Sequence, residues 1–164
     1  MSIHELLNAL NGLTDIHEEM LQLAREKQKL VVENRVDRLM TLTAKESKAI
    51  AAMEQLNLSI HRYTRECWAE LGIAPKPGST LADLLQAVTK AESKRLLAEA
   101  ADRLMTSIQQ LKEQNERNQL LVRQSLEYIA FQIDLITAPP DDMTYSPTKS
   151  HAAAAPRRSF DTRA

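Results

Sequence analysis

The chain has little of what β-rich proteins depend on. Only 4% of its 164 residues are aromatic and only 3 are glycine. Strands favour aromatic and β-branched residues, and the turns between strands favour glycine, so this composition argues against a β-rich fold. We therefore expect an all-α protein.

Charge of one sign, long apolar runs and cysteine are also scarce. The chain has 21 Lys and Arg against 22 Asp and Glu, without the basic face that nucleic-acid binding requires. No apolar run is long enough for membrane insertion, and the periodic start around His4 and Glu5 is unlike a secretory signal. The one cysteine, Cys67, cannot form an internal disulfide. These features predict a cytoplasmic protein.

The residue patterns of enzymes and metal sites are missing too. The 4 histidines are not spaced with carboxylates or cysteines as ligands, and the chain has no Glu-x-x-His pair and no glycine-rich phosphate loop. Cys67 and Trp68 fall within the periodic apolar pattern of a helix, where packing explains them. We expect no enzymatic activity, no cofactor and no metal site.

Apolar residues spaced three and four apart predict long helices. The first begins at Ser2, where Glu5 completes a capping box, and runs for about thirty residues, roughly 45 Å. Turn-forming residues predict a break near 34–37. A second long helix with coiled-coil-like spacing continues to Leu71. Within its apolar pattern we expect Glu46 at a loosely packed edge.

The segment GIAPKPGST ends the second helix, with Gly72 suited to the first residue beyond it. Ser79 or Thr80 then caps a short helix, and Asp83 closes a Thr-x-x-Asp box. Helices of this length predict an elongated antiparallel bundle over residues 1–137. The remainder, 138–164, is rich in Pro, Ala, Ser and Thr without periodicity, which predicts a disordered tail.

The last long helix, from Leu97 to Ile136, contains neither proline nor glycine and carries two apolar faces. One stripe has the spacing of a face packed within the bundle: Leu97, Ala101, Leu104, Ile108, Leu111, Asn115, Asn118, Val122, Leu126, Ile129, Ile133 and Ile136. A second face begins in the distal half: Leu120, Leu121, Tyr128, Phe131 and Leu135. This second face meets either another helix of the fold or a partner.

Two asparagines, Asn115 and Asn118, interrupt the packed stripe. Buried amides need hydrogen-bond partners, so one interpretation is that they fix helix register, as a polar residue does in a coiled coil. The other is that they bind a partner chain. From the sequence, both interpretations stay open.

The run NERNQLLVRQSLEYIAFQIDLI resembles the C-terminal helix signature of the FlgN family, Asn-x-x-Asn-x-x-Leu-[Ile/Val]-x-x-Ser-Leu. The segment LLQLAREKQKLVVENRVDRLMTLTAKESKAIAAMEQL is similar to the family's N-terminal part, and the resemblance covers about residues 3–146. It implies a non-enzymatic cytosolic chaperone. Such chaperones bind the terminal helices of flagellar hook-associated (hook–filament junction) proteins, prevent their aggregation and deliver them to the type III export gate.

The resemblance also implies a set of functional residues. The client-binding set is Asn115, Asn118, Leu120, Leu121, Val122, Ser125, Tyr128, Ile129, Phe131 and Leu135. Tyr145 matches the family tyrosine that contacts the cytoplasmic domain of the export gate, although Ser146 and Pro147 follow it here in place of the usual glycine.

One rival class of function stays open. A structural coiled-coil scaffold would self-associate through the distal part of the last helix, and a homodimer of the client-free protein would use the same surface.

Overall fold

The computed structural model describes residues 2–137, and this part of the chain consists of four α-helices without a strand. They are α1 (Ser2–Val32), α2 (Val36–Glu70), α3 (Leu81–Ala87) and α4 (Ala91–Thr137). The predicted all-α class and long helices are confirmed. None of the four is long and apolar enough to cross a membrane. The predictions for the tail and for Tyr145 lie outside the described residues.

The two long helices of the first half end in the same kind of backbone motif. Asn34 takes a positive φ of 54°, and the N–H of Arg35 donates to the carbonyl of Leu30 at 2.9 Å. Gly72 has a φ of 68°, and the N–H of Ile73 reaches back five residues in the same way. Asn and Gly are the residues that best tolerate this left-handed position. The predicted break and the predicted role of Gly72 are thus confirmed.

The two predicted capping boxes had different outcomes. Thr80 and Asp83 form theirs: the Asp83 N–H donates to the Thr80 hydroxyl at 3.3 Å, and the Thr80 N–H donates to the Asp83 carboxylate at 2.7 Å. The bonds that the Asp83 carboxylate accepts from the Thr80 N–H and the Thr80 hydroxyl hold the pKa of Asp83 below its usual value. Ser2 instead lies inside α1, and its hydroxyl donates to Glu70 at 2.8 Å. The expected box with Glu5 is replaced by a contact between the start of α1 and the end of α2.

The bundle is built around α1, which packs against both α2 and α4. The contact of Ser2 with Glu70 and that of Lys27 with Glu46 show that α2 runs antiparallel to α1. Because α2 returns the chain to the start of α1, the next long helix begins there as well. Accordingly α4 runs parallel to α1 and antiparallel to α2. No backbone contact joins α2 to α4 along their described lengths, so a groove lies between them over α1.

Two apolar clusters stabilise this arrangement. The proximal cluster closes the end where the bundle starts and includes α3: Leu6, Leu10, Cys67, Trp68, Leu84, Val88, Leu97 and Ala100. The central cluster joins the three long helices: Met20, Leu21, Leu23, Ala24, Leu30, Leu42, Ala49 and Leu111. Burying a leucine side chain contributes about 1.5–3 kcal/mol, and both clusters contain several. Neither cluster includes a residue of α4 beyond Leu111.

Candidate functional site

The distal part of α4 extends beyond the rest of the bundle. Asn118 contacts Ala24, and Gln114 contacts Gln28, so the end of α1 at Val32 is level with about residue 122 of α4. The fifteen or so residues that follow, 123–137, are called the distal segment. At 1.5 Å per residue the distal segment projects roughly 22 Å past α1.

The apolar residues of the distal segment are exposed. Every residue from Leu126 to Thr137 has an exposed side chain. The large apolar residues among them are Leu126, Tyr128, Ile129, Phe131, Ile133, Leu135 and Ile136, with exposed fractions from 45% for Ile129 to 83% for Ile136. Monomeric proteins rarely leave a contiguous apolar surface of this kind uncovered, and where they do it commonly serves as an interaction site.

The prediction that the first stripe stays packed to its end is wrong. Leu126, Ile129 and Ile133 have the spacing of a buried face, but α1 ends before they could meet it. Periodicity reports which residues share a face of a helix, and it does not report where the neighbouring helix stops. The second predicted face is exposed at Leu120, Tyr128, Phe131 and Leu135, while Leu121 is half-buried.

Within the bundle α4 also presents a slightly different face from the predicted one. The structure buries Ala100, Ser107 and Gln114, whereas Ile108 and Val122 are each 38% exposed. Because Leu97, Leu111 and Asn118 belong to both sets, the packed face is rotated from the most apolar stripe by only about half a residue position, roughly 50°. Hydrogen bonds of Gln114 and Asn118 to α1 accompany this rotation, and such tertiary contacts are not visible in the spacing of apolar residues.

The two asparagines of the signature have different environments. Asn118 is 4% exposed; its amide donates to the carbonyl of Ala24 at 2.7 Å and accepts from Gln114 at 3.1 Å. Asn115 is half-buried and lines the groove beside α2. These contacts favour the register interpretation for Asn118, whereas Asn115 faces a space that a partner can reach.

The groove between α2 and α4 is called the α2–α4 groove, with a volume of about 670 Å³. Its lining is mixed apolar and polar: Met20, Lys27, Glu46, Ile50, Asn115, Asn118, Gln119, Val122, Arg123 and Leu126. Because Leu126 belongs to both surfaces, the groove is continuous with the distal segment.

Glu46 lies in this groove, and the expectation of a loosely packed edge is wrong. Glu46 is 8% exposed, and its carboxylate is 2.6 Å from Lys27 Nζ. The lysine partner from α1 stabilises a charge that burial alone would disfavour. Sequence spacing gave no signal for this pair, because it joins two helices.

Polar groups on the distal part of α4 satisfy one another locally. The Ser125 hydroxyl donates to the Leu121 carbonyl at 3.0 Å, and the Gln132 amide donates to the Tyr128 hydroxyl at 2.7 Å. Ser125 is half-buried, which limits its direct contact with a partner. What the surface offers is thus mainly apolar contact area.

The described part of the chain holds no group of His, Cys, Asp and Glu side chains placed to bind a metal ion. Cys67 belongs to the proximal cluster at 1% exposure. Burial raises the pKa of its thiol to about 11, with a further contribution from the Glu70 carboxylate. A protonated, enclosed thiol is a poor nucleophile. The exposed apolar surface of the distal segment is instead suited to binding a partner protein.

Comparison with known families decides the class of this helical protein. The chain matches the family described as FlgN protein over residues 1–153. The chain belongs to the FlgN family. FlgN proteins are chaperones of flagellar protein export, so the predicted family and its coarse functional class are confirmed. The family is not an enzyme family.

A curated relative gives a second comparison. The protein is 28% identical over 168 residues to a Bacillus subtilis (strain 168) protein named Uncharacterized protein YvyG, and the match covers 100% of both chains. No solved structure matches.

Proposed function

We propose that this FlgN protein binds the C-terminal helices of hook–filament junction proteins in the cytoplasm, prevents their aggregation and delivers them to the flagellar export gate. The exposed apolar surface of the distal segment is the observation that carries this proposal. Exposed apolar side chains such as Leu126 and Phe131 favour aggregation of a monomer. A client helix that covers them removes this apolar surface from water, and that burial stabilises the complex.

The binding mode that this surface supports is helix against helix. Val122, Leu126, Ile129, Ile133 and Ile136 are spaced by four, three, four and three residues, the pattern by which an amphipathic partner helix docks. Tyr128 and Leu135 lie on the second face of α4, roughly opposite the first, and can contact another helix of the client. From the predicted client-binding set, Asn118 and Ser125 act within the chain, and the remaining members are proposed contacts.

The decisive variant is Ile129→Asp. Ile129 is 45% exposed and lies beyond α1, so its replacement removes client contact without disturbing a packed core. We expect capture of the C-terminal region of a junction protein to fall at least about tenfold, because a carboxylate buried against an apolar client helix costs well over 1.4 kcal/mol. Co-purification from a strain that expresses both proteins measures this.

A matched control for Ile129→Asp is Met105→Asp. Met105 is 67% exposed on α4, alongside α1 and away from the distal segment. The same change in charge there should leave capture intact. Equal capture by wild type and Ile129→Asp would contradict the proposal. Leu121→Asp should also abolish capture, although its half-buried position adds a cost in stability.

The rival function is a scaffold that self-associates through the distal segment. Light scattering during size-exclusion chromatography distinguishes the two. A chaperone gives a one-to-one complex with its client, whereas a scaffold gives a homodimer that Ile129→Asp dissociates and that a client does not displace. A homodimer that the client does displace would support the chaperone.

Delivery to the gate is the second part of the proposal, and Tyr145 is its proposed docking residue. The change Tyr145→Ala should lower export of junction proteins into the medium while co-purification with the client stays at the wild-type level. Loss of client capture in this variant would assign Tyr145 to the client site instead, and unchanged export would remove it from delivery.

A further inference from the structure

We infer that the polar cluster of Gln28, Gln114 and Asn118 is a positioning device that sets the rotation of α4 on α1. It holds Ile108 and Val122 out of the α1 interface. The inference concerns the fold of the free protein, and only its consequence for client binding rests on the proposed function.

The cluster is a connected set of short hydrogen bonds that runs from the buried Asn118 and Gln114 to Gln28 at the exposed edge of the interface. The Gln114 amide donates to Gln28 Oε1 at 2.8 Å and to Asn118 Oδ1 at 3.1 Å. The Asn118 amide donates to the Ala24 carbonyl at 2.7 Å. Gln114 and Asn118 are only 7% and 4% exposed. Among residues 2–137, no buried side-chain nitrogen or oxygen lacks a hydrogen-bond partner.

Directional bonds of this kind select one rotation of a helix. A turn of α4 by about half a residue position, roughly 50°, would bring Ile108 towards α1, and it would move Gln114 away from Gln28 and the Asn118 amide away from the Ala24 carbonyl. The separated donor and carbonyl would then be left without partners in an apolar interface, at considerable cost. A buried asparagine enforces register in coiled coils by the same competition.

Burial of apolar surface alone would favour another rotation. The observed interface buries Ser107 at 4% exposure and Gln114 at 7%, while Ile108 and Val122 stay 38% exposed on the adjoining face. Turning Ile108 and Val122 inward would bury more apolar area, and apolar burial is the larger general driving force. The polar cluster is the feature of the interface that opposes that turn.

The chosen rotation has a consequence for the proposed client surface. In the observed rotation of α4, Val122 and Leu126 line the α2–α4 groove. Since α4 is one continuous helix through the distal segment, a rotation at Asn118 also turns the exposed stripe that begins there. The cluster therefore determines which face of the distal segment continues into the groove.

Cysteine labelling at two adjacent positions measures the rotation directly. Ser107→Cys and Ile108→Cys are made separately, and the rate of maleimide reaction is determined for each in the full chain. Cys67 stays in place, because at 1% exposure it gives a low background. We expect the cysteine at position 108 to react at least about tenfold faster than the cysteine at position 107, because the more accessible thiol reacts faster.

The cluster is then broken by Asn118→Leu. We expect the ratio of the two labelling rates to fall at least about threefold, because an apolar residue at this position removes the bonds that oppose the turn. The melting temperature should not drop, since leucine suits a packed seam. Gln114→Leu breaks the same cluster and serves as the second variant if Asn118→Leu loses its helicity.

Gln110→Leu is the matched control. It makes the same chemical change as Gln114→Leu one turn earlier, at an exposed position of α4, where no hydrogen bond to α1 is lost. The labelling ratio should keep its wild-type value. A purely stabilising role for Asn118 would change melting and leave the ratio unaltered, and that result in a folded Asn118→Leu or Gln114→Leu protein overturns the inference. Labelling needs no client, so failure to capture a client would count against the proposed function alone.

Discussion

The two ends of α4 have similar apolar content but opposite environments. At the proximal end Leu97 is 0% exposed, enclosed by α1, α2 and α3, whereas at the distal end Leu126 is 61% exposed. The same helix thus begins as a structural element and ends as a candidate binding surface. The difference lies in the neighbours: α3 closes one end of the bundle, and α1 stops short of the other.

The largest predicted effect compares these two leucines directly. Leu97→Ala should lower the free energy of unfolding by about 2–5 kcal/mol, because it leaves a cavity in the proximal cluster. Leu126→Ala should change it by less than about 0.5 kcal/mol. Urea unfolding followed by circular dichroism measures both values. A similar loss of unfolding free energy at the two positions would show that the distal segment is packed in solution. The proposed difference between the two ends of α4 would then be wrong.

The second prediction concerns pH at the proximal end. Burial raises the pKa of Cys67 from 9.0 to about 11, so between these values the unfolded chain loses the thiol proton that the folded protein keeps. Stability is fully present below pH 9 and falls as the pH rises towards 11. We expect wild type to lose about 2 kcal/mol relative to Cys67→Ala between pH 8.5 and 10.5.

Paired urea titrations at these pH values test this prediction for Cys67. Subtracting the Cys67→Ala values removes the pH-dependent contributions that the two proteins share. A constant difference between the two proteins across the range would mean that the thiol is not enclosed, and the proximal end would be more open than described.

The smallest predicted effect lies at the border between the two regions, at the Lys27–Glu46 pair. Glu46→Gln should cost about 1–2 kcal/mol, since Lys27 then lacks its partner beside a half-enclosed groove. The exposed pair of Arg95 and Glu99 gives the matched control, and Glu99→Gln should cost less than about 0.5 kcal/mol. Thermal melts of both variants compare them. Equal costs would indicate that Glu46 is solvated.

Local features of the sequence were sufficient for the ends of α1 and α2 and for the start of α3, but not for the start of α4, which begins at Ala91 and not at the predicted Leu97. Asn34, Gly72 and the Thr80–Asp83 box each act through backbone conformation or bonds within three residues, so their effects can be predicted without knowing the fold. The spacing of the α2 seam was equally informative, because Leu42, Ala49 and Cys67 all lie on the buried face.

Features that depend on two helices at once could not be predicted. The partner of Glu46 is on α1, the bond of Ser2 is to the end of α2, and Asn118 reaches a backbone carbonyl that carries no sequence signature. The exposure of Ile129 depends on where α1 stops relative to α4, which is a matter of register. The sequence therefore identified the apolar surface of the distal α4 but underestimated how much of it is uncovered.

The separation of the two ends has a practical consequence for measurement. Ser2 lies level with the first turns of α4, roughly 65 Å from Thr137 along the helix axis. A tag attached ahead of α1 would hold the molecule by its closed end and point the opposite tip into solution. Surface immobilisation in that orientation leaves the tip unobstructed, so kinetic measurements on captured helices can be made without interference from the support.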